Sequence, residues 1–314
     1  MPDAASNPEP LLVSAALLRQ AAERCRGHLA EDPDNRTVLS SLALICRKQG
    51  HLDEAEALYG RLALLDPDDR NTQYLHAVLA GTDVPALPAG FRPAPFVLVK
   101  DFLPTSFHAT LLPFVLSVRG KLVPARIATG VKHGEYKPET RESLDLPGEW
   151  EVKRHFRECL NAIIPSALSR LHVAPFEMCP AEVKVRAYLD GHFFRMHMDC
   201  PADVVDIAHR KVSYVYFFHK LPRGYTGGDL LLFDSNIESN RFTTSRFTSI
   251  VPEDNTLIIF PSPYFHSVIP VGCSSRRYED SRFVINGHIS STTSGVDVAA
   301  GDGHDGAPPL GDVV

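Results

Sequence analysis

His197-Met198-Asp199 places an imidazole and a carboxylate two positions apart. Residues two apart on a strand leave the same face, so this pair can grip one metal ion from one side. A third donor must come from elsewhere in the chain, and His266 stands 69 residues beyond His197. Two imidazoles and one carboxylate suit Fe(II) and leave three coordination positions open. A 2-oxo acid can chelate through two of them and dioxygen can take the third.

By itself His-x-Asp is a weak signal, because fourteen histidines make chance pairs common. A lone histidine is more often a surface or hydrogen-bonded residue than a ligand. The surroundings add the weight. His266 closes the stretch Leu257-Ile-Ile-Phe260-Pro-Ser-Pro-Tyr-Phe-His266, and Val268-Ile-Pro-Val271 follows. A basic residue, Arg282, then opens Arg282-Phe-Val-Ile-Asn-Gly-His288.

These residues need a scaffold, and the chain's patterning describes one. After Phe176 strands dominate: Glu182 to Tyr188, Val212 to Phe218, Asp229 to Phe233, Thr256 to Phe260 and Arg282 to Ile289. Before them, Phe96 to Val99 reads as a strand, and Pro104 to Val118 and Glu149 to Leu171 as amphipathic helices. From Leu11 to Ala80 the apolar residues recur at helical steps, as in Leu39, Leu42, Ala43 and Cys46. Asp32-Pro33 and Asp66-Pro67 stand 34 residues apart, each followed by capping residues, Asp34-Asn35 and Asp68-Asp69. Gly50 closes one helix before Leu52-Asp-Glu-Ala55 opens the next. That period is the signature of the tetratricopeptide repeat, which the stretch resembles. At most two repeats fit, so one face is left unsatisfied. Packing of that face on the rest of the chain is expected ahead of a peptide-holding groove.

The domain expectation is therefore a tail at 1–10, a helical domain at 11–82, a linker at 83–94, a strand-rich domain at 95–290 and a disordered tail at 291–314. A content of 44% hydrophobic and 22% charged residues is that of a globular protein, and 314 residues suffice for two domains. A net charge of −6 argues against a nucleic-acid partner. No apolar run reaches the length of a membrane span, and Met1 to Pro10 lacks the features of a signal peptide. The six cysteines are scattered without a C-x-x-C pair, which points to reduced thiols and a cytoplasmic setting. Oligomeric state is not written in the sequence.

From about Pro95 to Ser290 the chain resembles the prolyl-4-hydroxylase-like branch of the Fe(II)/2-oxoglutarate dioxygenases. The matching features are Tyr188-x-x-Gly191, Gly-His-Phe-Phe before His197-x-Asp199, Arg210 ahead of a strand, Gly227-Gly228-Asp229-Leu230 and Pro252-x-x-Asn255-x-Leu-x-x-Phe260. His266-x-Val268-x-Pro270-Val271 and Arg282-x-x-Ile-Asn-Gly complete the set.

The resemblance implies an α+β chain whose core is a double-stranded β-helix, or jelly-roll, with the metal in its mouth. It implies Fe(II) on His197, Asp199 and His266. Arg282 would then pair with the distal carboxylate of 2-oxoglutarate, and Tyr188 would donate a hydrogen bond on the same side. Dioxygen is the other co-substrate and ascorbate an accessory. The family's basic residue usually stands nearer the distal histidine, where Arg276 is, so Gly272 to Ser281 reads as an inserted loop with Arg276 and Arg277 as solvated charges. Phe217 replaces a tyrosine of some relatives, and His288 a substrate-bordering tryptophan of others. Asp199 points to hydroxylation, since halogenating relatives carry a small residue there. Arg141-Glu142-Ser143 resembles an entrance-lining segment, though an ordinary solvated turn is the nearer reading.

Three functions follow: hydroxylation of a peptide or protein residue, with proline first; hydroxylation of a free or carrier-tethered small molecule; or a repeat-domain adaptor with an inactive oxygenase fold. An intact triad speaks against the last.

Overall fold

The computed structural model describes residues 15–87, 89–127, 134–201, 204 and 207–292. Four helices come first: α1 (Ala15–Glu31), α2 (Arg36–Gln49), α3 (Leu52–Leu65) and α4 (Arg70–Ala80). Asn35 caps α2 by accepting the Val38 N–H at 3.1 Å, and Asp69 caps α4 through Asn71 and Thr72. Gly50 ends α2 at φ 73°, a left-handed geometry that glycine adopts without cost. Their apolar faces meet in a core of Leu39, Leu42, Ala43, Cys46, Ala55, Tyr59 and Leu62.

The strand-rich part follows in the order β1 (Val97–Val99), α5 (Thr105–Ser117), β2 (Val123–Pro124), β3 (Arg141–Glu142), β4 (Leu144–Asp145) and α6 (Glu151–Arg170). Next come β5 (Lys184–Tyr188), β6 (Phe193–His197), β7 (Arg210–Phe218), β8 (Thr226–Gly227), β9 (Leu230–Asn236) and β10 (Arg241–Ile250). The chain ends with β11 (Thr256–Pro261), β12 (His266–Val268), β13 (Val271–Gly272) and β14 (Arg282–Ser290). The major sheet runs β1-β11-β7-β14-β5-β4-β2 and the minor sheet β10-β9-β12-β6-β3. From β5 onward the long strands switch repeatedly between the sheets, with every pairing antiparallel. This is the double-stranded β-helix.

Alternation along the major sheet separates two environments. Val212, Tyr214, Tyr216 and Phe218 of β7, with Phe283 and Ile285 of β14, bury against Leu111, Val115, Phe156, Leu160 and Ile164 of α5 and α6. The alternate residues face the space between the sheets. They are Lys184, Arg186 and Tyr188 of β5, Ser213 and Val215 of β7, and Arg282, Val284, Asn286 and His288 of β14.

The open face of the helical repeat is covered. Arg47 of α2 is 1% exposed; its Nη2 donates to Asp234 Oδ1 at 2.8 Å and its Nε to Thr248 Oγ1 at 3.1 Å, on β9 and β10. Tyr74 and Val78 of α4 share a core with Ala94, Phe96, Phe260 and Tyr264. The segment expected as a linker is thus held: Tyr74 donates its hydroxyl to Pro93 O at 3.1 Å, and Arg92 bridges to Ser235. The tails expected at 1–10 and 291–314 lie outside the described residues, except that Ser291 bridges Met178 and the Thr292 N–H donates to Glu177 O at 2.9 Å. Among the described residues, no helix is long and apolar enough to cross a membrane. All six cysteines are free.

Candidate active site

His197 ends β6 and His266 begins β12, and the two are register partners with ring centroids 4.1 Å apart. Asp199 lies just past the end of β6, where its N–H donates to Ser262 O at 3.2 Å. Its Oδ1 is 3.5 Å from His197 Nε2 and its Oδ2 3.2 Å from His266 Nε2. One donor atom from each residue lies within 4.8 Å of the other two, and this is the one such group of three among the described residues.

The imidazoles are turned for ligation. His197 Nδ1 is 2.8 Å from Arg195 O, and His266 Nδ1 is 3.0 Å from Tyr264 O. A carbonyl can only accept, so each Nδ1 carries the proton and each Nε2 presents a lone pair, the arrangement that metal-bound histidines need. Phe194 stacks on His197 at 3.6 Å between centroids and fixes its plane. The Ser213 hydroxyl donates to Asp199 Oδ2 at 2.7 Å.

Burial opposes charge on Asp199, but His288, His266 and hydrogen bonds from both ligand histidines hold its carboxyl well below the usual range. Burial, reinforced by His266, pushes His197 down to about 4. Burial also depresses His266, yet the adjacent Asp199 outweighs it and the net shift is upward. A buried carboxylate between two neutral-capable imidazoles is a donor set that fits a divalent cation.

The same cavity, of about 350 Å³, is lined by Tyr188, Phe260, Val268, Arg282 and Val284 beside the three donors. Arg282 is 1% exposed, and its Nε has no hydrogen-bond partner. Its guanidinium lies over Tyr188 at 4.7 Å and Phe217 at 5.2 Å, faces that hold a cation without neutralising it. A buried guanidinium N–H left unpaired is costly, and a ligand carboxylate would satisfy it. Arg276, by contrast, has a side chain 82% exposed and pairs with Asp190. The structure therefore brings Arg282, not Arg276, to the cavity, with Tyr188 opposite it in the register.

Three residues not marked as site residues in the sequence join the site, His288, Ser213 and Arg141, and Tyr225 bears on it. His288 Nδ1 stands 3.6 Å from Asp199 Oδ2, and burial drives this histidine down to about 3. Ser213 holds Asp199. The Tyr225 hydroxyl is buried without a partner, and Arg282 is among the charges acting on it, although Tyr225 is not among the residues that line the cavity. Arg141 was expected in a solvated turn; instead it is in β3, 4% exposed, against the Phe194 ring at 4.6 Å. The turn reading fails because β3 and β4 form the strap that joins the two sheets. Period-two reading of Arg282-x-Val284-x-Asn286-x-His288 was the available signal for His288; Tyr225 lies in a loop and gave none.

Residues 183–290 match the 2OG-Fe(II) oxygenase superfamily, and residues 12–79 match the tetratricopeptide repeat. An uncharacterised PKHD-type hydroxylase of Synechocystis is 29% identical over 201 residues, which cover 63% of this chain and 64% of that protein. The chain thus spans less than two thirds of that relative's length. Among solved structures, a prolyl-4-hydroxylase of Pseudomonas putida is 19% identical with a TM-score of 0.46, covering 64% of this chain and 94% of the other. A prolyl hydroxylase of Trichoplax adhaerens, in complex with a hypoxia-inducible-factor peptide fragment, is 19% identical with a TM-score of 0.47, covering 63% and 84%.

Proposed function

We propose that this chain, which carries a 2OG-Fe(II) oxygenase domain behind an N-terminal tetratricopeptide repeat, is a hydroxylase acting on a peptide or protein residue, with proline the first candidate. The observation that carries the reading is the His197, Asp199 and His266 cluster sharing one cavity with the unpaired guanidinium of Arg282. A metal donor set and a carboxylate receptor on opposite parts of one cavity suit a chelating 2-oxo diacid. The PKHD-type relative, itself named a hydroxylase, supports the reaction class.

In this reading His197, Asp199 and His266 hold Fe(II), which when bound supplies the dioxygen chemistry that converts 2-oxoglutarate to succinate and carbon dioxide. Arg282 donates to the distal carboxylate and Tyr188 orients the same molecule. Ser213 keeps Asp199 aimed at the site. Leu230, Val268, Phe260 and Val284 keep water from that end of the cavity. The helical repeat presses on β9 and β10 through Arg47, and β9 is the partner of the His266 strand, so the repeat braces the site.

The test is succinate formation with a panel of proline peptides. Stimulation by one peptide, abolished when its proline is replaced by alanine, is the expected result. Turnover that no peptide stimulates, but that a free amino acid does, would move the substrate to the small-molecule class.

A further inference from the structure

The cavity holds more positive charge than a divalent metal, 2-oxoglutarate and its own acids can balance. On the wall made by β3, β4 and β5, Arg141 and Arg186 share one carboxylate. Asp145 receives Arg186 Nε at 2.5 Å and Arg186 Nη2 at 3.3 Å, while Arg141 Nη2 stands off at 3.7 Å, beyond hydrogen-bond distance. Arg186 spends its Nη1 on Asn286 Oδ1 at 2.8 Å. A little further along, Lys184 and Arg210 share Glu182. Two carboxylates thus face four cations, and all four line the cavity.

Arg141 is the cation left over. It is 4% exposed, its Nε donates to Ser143 Oγ at 3.0 Å, and its Nη2 is buried with no hydrogen-bond partner. Phe194 carries its guanidinium, and Phe194 also stacks on the ligand His197. Tyr188 also acts on this guanidinium, but the Nη2 N–H, desolvated in the cavity that the metal donors line, has no acceptor of its own and marks a place where a ligand acceptor belongs. On the proposed reading 2-oxoglutarate does not fill it, since one carboxylate chelates the metal and the other meets Arg282.

We infer that the substrate carries a carboxylate close to the hydroxylated carbon, received by Arg141 with the field of Lys184 behind it. This rests on the oxygenase reading for the place of 2-oxoglutarate, and it narrows the substrate to an acidic molecule. The carboxylate has three sources: a free amino or imino acid, the C-terminus of a peptide, or an acidic side chain beside the target residue.

The experiment is calorimetric titration of the full chain, loaded with redox-silent Mn(II) and 2-oxoglutarate and also without either. The probes are L-proline, N-acetyl-L-proline and N-acetyl-L-prolinamide, and proline peptides ending in an acid or an amide or holding Glu or Gln beside proline. Wild type should bind at least one acid about tenfold or more tighter than its neutral twin, the size of one charge-assisted hydrogen bond. The preferred pair identifies the source. The preference should fall to about one in Arg141→Gln, persist in part in Arg141→Lys and shrink in the milder Lys184→Gln, with thermal melts reporting folding. No acid preference in wild type, or one that survives in folded Arg141→Gln, overturns the inference. Absence of Mn(II)-dependent 2-oxoglutarate binding in the same cell would instead sink the oxygenase reading, and the metal-free arm then still decides whether Arg141 selects acids.

Discussion

A side chain at Gly228 would collide with Arg282: a Cβ built there lies 2.6 Å from Arg282 Cδ and 3.1 Å from its Nε. Gly228 also has φ 70°, where L residues are strained. The glycine is the gap through which the arginine reaches the cavity. Gly228→Ala should weaken 2-oxoglutarate binding about tenfold or more and lower stability by at least the roughly 1–2 kcal/mol of left-handed strain. Calorimetry of metal-loaded protein beside a thermal melt separates the two effects. Unchanged 2-oxoglutarate affinity would show that Arg282 does not need this path.

Arg282 and Arg276 make a matched pair for testing which cation receives the co-substrate. Arg282→Gln should lower 2-oxoglutarate affinity by roughly a hundredfold, since a charge-assisted hydrogen bond contributes about 1.5–3 kcal/mol. Arg276→Gln, on an exposed side chain, should leave it within about twofold. The reverse pattern would move the distal carboxylate to the loop.

Arg47 ties the repeat to the β-helix through a pair that is nearly fully buried, with side chains 2% and 5% exposed. Removing Asp234 strands the buried Arg47 charge, and removing Arg47 leaves Asp234 only the looser Arg246 at 3.5 Å. Arg47→Met or Asp234→Leu alone should destabilise the chain by about 3–5 kcal/mol, and the double variant should recover most of it. Chemical denaturation of the four proteins measures this. Additive losses would show that the pair is not coupled.

Glu182 gives a pH prediction. Burial raises its carboxyl, but Lys184, His288 and Arg210 more than offset this and bring it from an ordinary 4.5 to about 2. A depressed folded pKa stabilises fully above the unfolded value and fades as pH falls through the folded one. Wild type should therefore melt above Glu182→Gln at pH 7, with the gap closing between about pH 4.5 and 2. A gap that stays constant across that window would contradict the assignment.

The major sheet was legible because its strands are apolar on one face and abut helices: β5, β7, β11 and β14 all read as strands within one or two residues. Of the minor sheet, β9 was read as Asp229 to Phe233, but β10 and β12 were not. β10 alternates poorly, since its first half, Arg241 to Arg246, is largely exposed, and β12 is three residues long. The metal donors were readable as spacing, yet Asp199 is held from beyond the strand by Ser213 and Ser262, contacts made across 14 and 63 positions of sequence. Arg141 was misread for the same reason. Its burial depends on β6 laying Phe194 beside it, which local pattern cannot reveal.

The most direct test is Fe(II)-dependent 2-oxoglutarate binding and succinate formation by anaerobically loaded protein, beside His197→Ala. The account predicts that wild type binds 2-oxoglutarate only with metal and releases succinate when oxygen is admitted, while His197→Ala does neither. Equal binding with and without Fe(II), or equal succinate from the variant, would contradict a metal centre at His197, Asp199 and His266.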